Sequence, residues 1–156
     1  MQTSATRSSA GECATEVLEV VPIVFRIIRA EMRKYGAKEI SLPQYRTLAF
    51  VHRNDCASLS EVGDHIGLTL PSMSMLVDGL VARRLVNRQT DPDDRRRMTL
   101  TLTEGGRARL ESARAATVAN LEEKFRQLSA SDRVTITLAM RILSELFTGG
   151  KNSAKD

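Results

Sequence analysis

Tryptophan is missing from this sequence, and aromatic residues make up only 4% of it. A hydrophobic share of 42% still allows a core, but one built from aliphatic side chains. Cysteine is almost as scarce. Cys13 and Cys56 are the only two, which excludes a disulfide framework and offers no paired zinc-ligand spacing. The two histidines, His52 and His65, stand far from any Cys-x-x-Cys. No apolar run reaches the ~18 residues that a membrane span needs, and the N-terminus carries no apolar signal core. The expectation is a soluble, cytoplasmic protein with no membrane partner. Nothing in the chain combines a nucleophile, a base and an orienting group, so no enzyme is expected. No cofactor and no metal are expected either. Asp91, Asp93 and Asp94 lack the glycine and the bidentate glutamate of a calcium loop, and hairpin turn chemistry accounts for them better.

What is present is charge, unevenly placed. The net charge is +4 and the pI about 9.4, a weak pointer to a polyanionic partner. Between Arg83 and Arg97, however, six arginines face three aspartates. The excess sits in one short span, which is either a solvated loop or a basic tool.

The 156 residues suit one domain of ordinary size with helical extensions. Residues 1–12 are small and polar, and read as a disordered tail. From about 14 to 35, Val17, Val20, Val21, Val24, Ile27, Ile28 and Met32 recur at helical spacing. Leu18, Ile23 and Phe25 widen that stripe beyond what one small domain covers. Pro22 should kink this helix or mark a late start. A second helix follows Ser41, with Pro43 in its first turn. A third runs from Ser60 as N-cap to Gly67, and a fourth from Thr69, with Met73, Leu76, Val77 and Leu80 on its core face. The period then changes. Residues 85–89 form one strand, and Met98, Leu100 and Leu102 alternate with threonines in another. The charged segment is the tip of the hairpin between them. Gly105-Gly106 interrupts before a helix over about 107–128, and a last apolar helix over about 131–147 begins at a capping box on Ser129 and Asp132.

Three short helices and a hairpin make a winged helix-turn-helix, whose fourth helix enters a major groove. The chain resembles the MarR family of bacterial transcription regulators. The matching residues are Leu42-Pro43-Gln44-Tyr45, Ser60-Glu61-Val62-Gly63 and the run from Pro71 to Leu80. The most specific match is Asp91-Pro92-Asp93-Asp94-Arg95-Arg96 leading into Leu102-Thr103-Glu104-Gly105-Gly106. The resemblance runs from about residue 15 to 147. It implies a mainly α (α+β) fold, a winged helix-turn-helix with a two-stranded wing and long N- and C-terminal dimerisation helices. The expected division is a tail over 1–12, a dimerisation helix over 13–35 and a DNA-binding domain over 36–103. Dimerisation helices over 104–148 and a flexible tail over 149–156 complete it.

The partners implied are double-stranded DNA, as a pseudo-palindromic operator, and a second copy of the chain, in a cytoplasmic, nucleoid-associated setting. On the recognition helix, Thr69, Pro71, Ser72, Ser74 and Met75 face the DNA. That helix has no Arg, Lys, Asn or Gln between Thr69 and Ala82, so bidentate base reading is unavailable to its centre. Ser72 and Ser74 can bond phosphates or bases, and Met75 can touch a thymine methyl. In the wing, the resemblance makes Asp94 the acid that orients an inserting arginine, Arg96 or else Arg95. Arg83, Arg84, Arg88 and Arg97 are read as phosphate neutralisers. Arg84 stands where the family usually has glycine, so either the tight turn is in doubt or the backbone manages without φ > 0. The family often binds small aromatic or phenolic acids, and Arg26, Arg29, Tyr45 and His52 are the pocket candidates by position. The function expected is a repressor released by such a ligand. The alternatives are redox sensing through Cys13, disfavoured by Glu12 and Glu16 beside it, and a winged helix used for protein contacts. Cys56 is read as a packing residue.

Overall fold

The computed structural model describes residues 9–34, 40–91, 94 and 97–149. Its elements in order are α1 (Ala10–Lys34), α2 (Leu42–Arg53), β1 (Ala57–Ser58), α3 (Leu59–Ile66) and α4 (Leu70–Ala82). The hairpin strands β2 (Val86–Thr90) and β3 (Met98–Leu102) follow, then α5 (Glu104–Phe125) and α6 (Ala130–Thr148). The chain divides into two compact units between Thr117 and Val118, described in turn.

One local device opens each of the first three helices. Serine at the N-cap accepts from the backbone N–H three residues on, and the Glu or Gln there accepts from the serine's own N–H. Ser9 and Glu12 do this at 3.2 and 2.7 Å, Ser41 and Gln44 at 3.4 and 2.9 Å, and Ser58 and Glu61 at 3.2 and 2.7 Å. The first of these starts α1 at Ala10, inside the stretch expected as tail. The third corrects the start of α3, whose N-cap is Ser58 and not Ser60. Ser60 has Gly63 three residues on, which offers no side chain to complete a box. Pro22 neither delays nor ends α1, which runs through it to Lys34.

The wing contains more than a hairpin. β2 and β3 pair antiparallel from Val86↔Leu102 to Thr90↔Met98, and β1 pairs with the other edge of β3 through Ala57↔Leu100 and Ser58↔Thr99. The sheet is three-stranded with β3 central. Thr99, which alternates with Met98 and Leu100, is itself buried, with its hydroxyl 3.4 Å from the Gln89 carbonyl. The core joins this sheet to the helices through aliphatic residues, as the lack of aromatics requires. Leu48, Val62, Met73, Val77, Leu80 and Leu100 are fully enclosed.

Gly105 and Gly106 do not interrupt the chain; they form the first turn of α5. The Thr103 hydroxyl caps that turn, accepting from the Gly106 N–H at 2.9 Å and donating to the Arg84 carbonyl at 2.7 Å. A Cβ on Gly106 would collide with the carbonyl oxygen of Leu85, so the helix meets the end of β2's approach only because this residue has no side chain.

In the second unit, Ser129 caps α6 by accepting the Asp132 N–H at 3.1 Å. The Asp132 carboxylate accepts the Ser129 hydroxyl at 2.7 Å, whereas a full box would engage the Ser129 backbone. This helix has no buried residue, and Leu138, Met140, Ile142, Leu146 and Phe147 are all more than half exposed.

Candidate nucleic-acid interface

α3 and α4 meet at a bend of 108°, within the range of a helix-turn-helix. Gly67 makes the bend with φ +79°, and its N–H and that of Leu68 both bond the Gly63 carbonyl, at 2.9 and 3.0 Å. A third element steadies the turn. The Arg46 guanidinium of α2 donates to the last carbonyls of α3, His65 at 3.1 Å and Ile66 at 3.4 Å, where the helix dipole favours a cation.

On α4, Met73, Val77 and Leu80 are buried as their spacing predicts, and Leu76 is half-buried against them. Thr69, Pro71, Ser72, Met75 and Asp78 are exposed, while Ser74 is half-buried. Leu70, which the sequence reading overlooks, is 54% exposed beside them. Thr69 caps nothing with its side chain; its hydroxyl donates to Ser72 Oγ at 3.1 Å.

Two ion pairs join the sheet to the helix-turn-helix. Arg88 of β2 reaches Asp78 of α4 at 2.9 Å, so a residue expected to neutralise phosphate already holds a carboxylate. Arg97, at the start of β3, contacts Glu61 at 3.2 Å and Asp91 at 3.8 Å. Glu61 thus serves twice, as the α3 cap acid and as the partner of the wing. The Ser58 N–H, the Ser58 hydroxyl and the Arg97 guanidinium together hold its carboxyl below the usual 4.5. The neck of the hairpin is closed by Asp91 N–H to the Arg97 carbonyl and Arg97 N–H to the Asp94 carbonyl, at 2.9 and 2.8 Å. Arg95 and Arg96, the expected inserting arginines, lie outside the described residues. So do Pro92 and Asp93.

Arg84 departs from both alternatives posed for it. The turn is tight, and Arg84 itself takes φ +56°. Hydrogen bonds from Arg84 N–H to Val81 O at 2.8 Å and from Leu85 N–H to Leu80 O at 2.9 Å fasten it. With the Thr103 bond to its carbonyl, these outweigh the ~1–2 kcal/mol that a left-handed residue with a Cβ costs. Arg83 and Arg84 are exposed.

Of the remaining candidates, Arg26, Arg29 and His52 are exposed, and Tyr45 is half-buried against the core. Two open clefts are lined by other residues, one of about 440 Å³ by Ser58, Leu70, Asp94 and Arg97 and one of about 640 Å³ by Arg84, Asn87, Gln89 and Glu104. Cys13 and Cys56 are both exposed. Cys56 is therefore not a packing residue; it sits at φ +59° in the turn before β1. His65 stacks on Phe50 with ring centroids 4.4 Å apart. Burial, then Arg46 and Arg53, push its imidazole below the usual 6.5. Among the described residues, no group of three or more His, Cys, Asp and Glu could hold a metal ion. No single described helix is long and apolar enough to cross a membrane.

Comparison with known proteins agrees with this geometry. Residues 39–97, from the start of α2 to the wing, match the model of the MarR family. An uncharacterised HTH-type transcriptional regulator of Bacillus subtilis (strain 168), YhbI, is 33% identical over 75 residues, which are 48% of this chain and 49% of that one. The matched stretch thus spans about half the length of that relative. Among solved structures, wild-type MarR of E. coli in its apo form superposes with a TM-score of 0.73 at 20% identity, covering 81% of this chain and 96% of that one. BpsR of Bordetella bronchiseptica, whose DNA binding is regulated by 6-hydroxynicotinic acid, gives 0.67 at 23%, covering 83% and 98%. At such identities the structural likeness speaks for the fold, a winged helix with a small antiparallel sheet. The family match falls on the helix-turn-helix and wing just described, so it is this segment, residues 39–97, that is similar to the MarR family of transcription regulators.

Proposed function

We propose that this chain is a homodimeric repressor that binds a pseudo-palindromic operator and is released by a small aromatic or phenolic ligand. The observation that carries the DNA reading is the exposed outer face of α4 beside an arginine-rich hairpin, both fastened to one core. In this reading α4 lies in the major groove and the wing tip follows the backbone to the adjacent minor groove. There Arg95 or Arg96, aimed by Asp94, enters a narrow and electronegative A·T-rich stretch. Arg83 and Arg84 neutralise phosphates. Arg88 and Arg97 position the wing, because their guanidinium groups are held by Asp78 and by Glu61 and Asp91.

The dimer reading is supported by apolar exposure. Leu18 of α1 is 75% exposed and Phe147 of α6 is 74% exposed. At roughly 25 cal/mol per Å², such stripes favour a second copy as their cover. Ligand release is supported by the likeness to BpsR, and Arg26, Arg29, Tyr45 and His52 are the residues to test for it.

The decisive experiment selects bound duplexes from random DNA and titrates the winner against salt. Arg96→Ala should weaken binding markedly and flatten the slope of log K on log salt by about 0.9 for each lost phosphate-proximal charge. Unchanged affinity in that variant would instead favour a winged helix that contacts protein. Sedimentation at micromolar concentration showing a folded species of 17.3 kDa would overturn the dimer.

A further inference from the structure

The outer ridge of α4 runs through Pro71, Met75 and Asp78 at spacings of four and three, opposite the buried Met73, Val77 and Leu80. Several of its polar groups are bonded within the protein or partly covered. The Thr69 hydroxyl bonds Ser72 Oγ at 3.1 Å, the Asp78 carboxylate holds Arg88 at 2.9 Å, and Ser74 is half-buried. At the centre of the ridge stands Met75, 76% exposed. A methionine has no N–H or O–H to offer a base edge, and its long unbranched chain reaches further than its neighbours. The floor of the major groove presents one apolar group, the C5-methyl of thymine.

We infer that Met75 is a specificity-determining residue that reads a pyrimidine C5-methyl group, thymine in ordinary DNA. The inference rests on the DNA-binding reading above and deepens it. Sequence preference at the contacted step comes from burying a methyl group and not from hydrogen bonding. A 5-methylcytosine at that position presents the same methyl in the same place, so a C·G pair there is accepted better once methylated.

The test uses the full-length protein and a duplex obtained by selection. Each thymine is replaced in turn by deoxyuridine, which removes the methyl and alters nothing in the minor groove where the wing binds. Burying one methyl contributes about a fourfold difference in affinity. The wild type should lose about that factor at one position per half-site. Met75→Ala should bind the thymine and deoxyuridine duplexes equally there, and Met75→Leu should keep the preference. Met75 lies outside the core, so its variants should unfold at the wild-type midpoint. At the same position, cytosine should bind worse than thymine, and 5-methylcytosine should recover about fourfold. A wild type indifferent to deoxyuridine at every thymine overturns the inference, as does a Met75→Ala variant that keeps the full preference. If selection yields no bound duplex at all, the DNA-binding reading itself falls, a result separable from either.

Discussion

Replacing Gly106 with alanine places a methyl group against the backbone of Leu85, with the new carbon overlapping its carbonyl oxygen and 3.0 Å from its carbonyl carbon. Neither side gives way cheaply. The Leu85 N–H bonds the Leu80 carbonyl at 2.9 Å, and the Leu85 carbonyl accepts from the Thr103 N–H at 3.2 Å. Relief requires α5 to withdraw, and that movement strains the Thr103 hydroxyl bonds to Arg84 and Gly106. Overpacking of this kind costs about 1–3 kcal/mol, and contact with fixed backbone puts it at the upper end. Alanine returns about 0.5–1 kcal/mol as a better helix former than glycine. The net loss should be about 2 kcal/mol, or roughly 4–8 °C in Tm for a chain of this length. Gly105 is the internal control. A Cβ there meets nothing nearer than the Arg84 carbonyl oxygen at 3.6 Å, so Gly105→Ala should be neutral or stabilise by about 0.5 kcal/mol. Urea unfolding followed by circular dichroism, at one fixed protein concentration, measures both. A Gly106→Ala variant within about 0.5 kcal/mol of wild type would refute the claim that close approach, and not turn flexibility, requires the second glycine.

Arg84→Gly should stabilise by about 0.5–1 kcal/mol, since relief of the left-handed strain exceeds glycine's extra freedom in the unfolded chain, and Arg84→Ala should not. Ser58→Ala should cost about 1 kcal/mol through loss of the α3 cap, whereas Ser60→Ala should stay within about 0.5 kcal/mol, which unfolding curves of the two will separate. His65 should titrate below 6.5 when followed by proton NMR. Because its folded pKa lies below the unfolded one, its contribution to stability is complete above about pH 6.5 and lost as pH falls toward the folded value. His65→Gln should remove that slope, and a midpoint above 6.5 would contradict the burial that depresses it.

Much of the framework was legible because it is written in local patterns. The core face of α4 follows from helical spacing, and β3 from the alternation of Met98, Leu100 and Leu102 with threonine. The helix starts at Ser9 and Ser58 were equally readable, since each serine has a glutamate three residues on, but proximity to the next apolar run pointed to Ser60. β1 was not readable, because two residues carry no period. The left-handed Arg84 has no local signal either, as its residue type argues against that conformation and only tertiary bonds impose it. At the interface, the exposed ridge was legible and the charge pairing was not. Arg97 finds Glu61 across 36 positions, and no window of sequence records such a pair. Leu70 escaped because it precedes Pro71 at the very start of the helix, where periodicity assigns it to neither face.

Ser58 belongs to two structures at once. It is the last residue of β1, opposite Thr99 in the sheet, and it is the N-cap of α3. Fraying of α3 from its N-terminus therefore removes a rung from the sheet, and detachment of the sheet edge uncaps the helix. The two cannot open by separate small fluctuations. The amides of α3 and those of β3 facing β1 should exchange with solvent through one shared opening, as a single cooperative unit. Thermal motion that loosens the wing is thereby made as rare as motion that loosens the turn before α4.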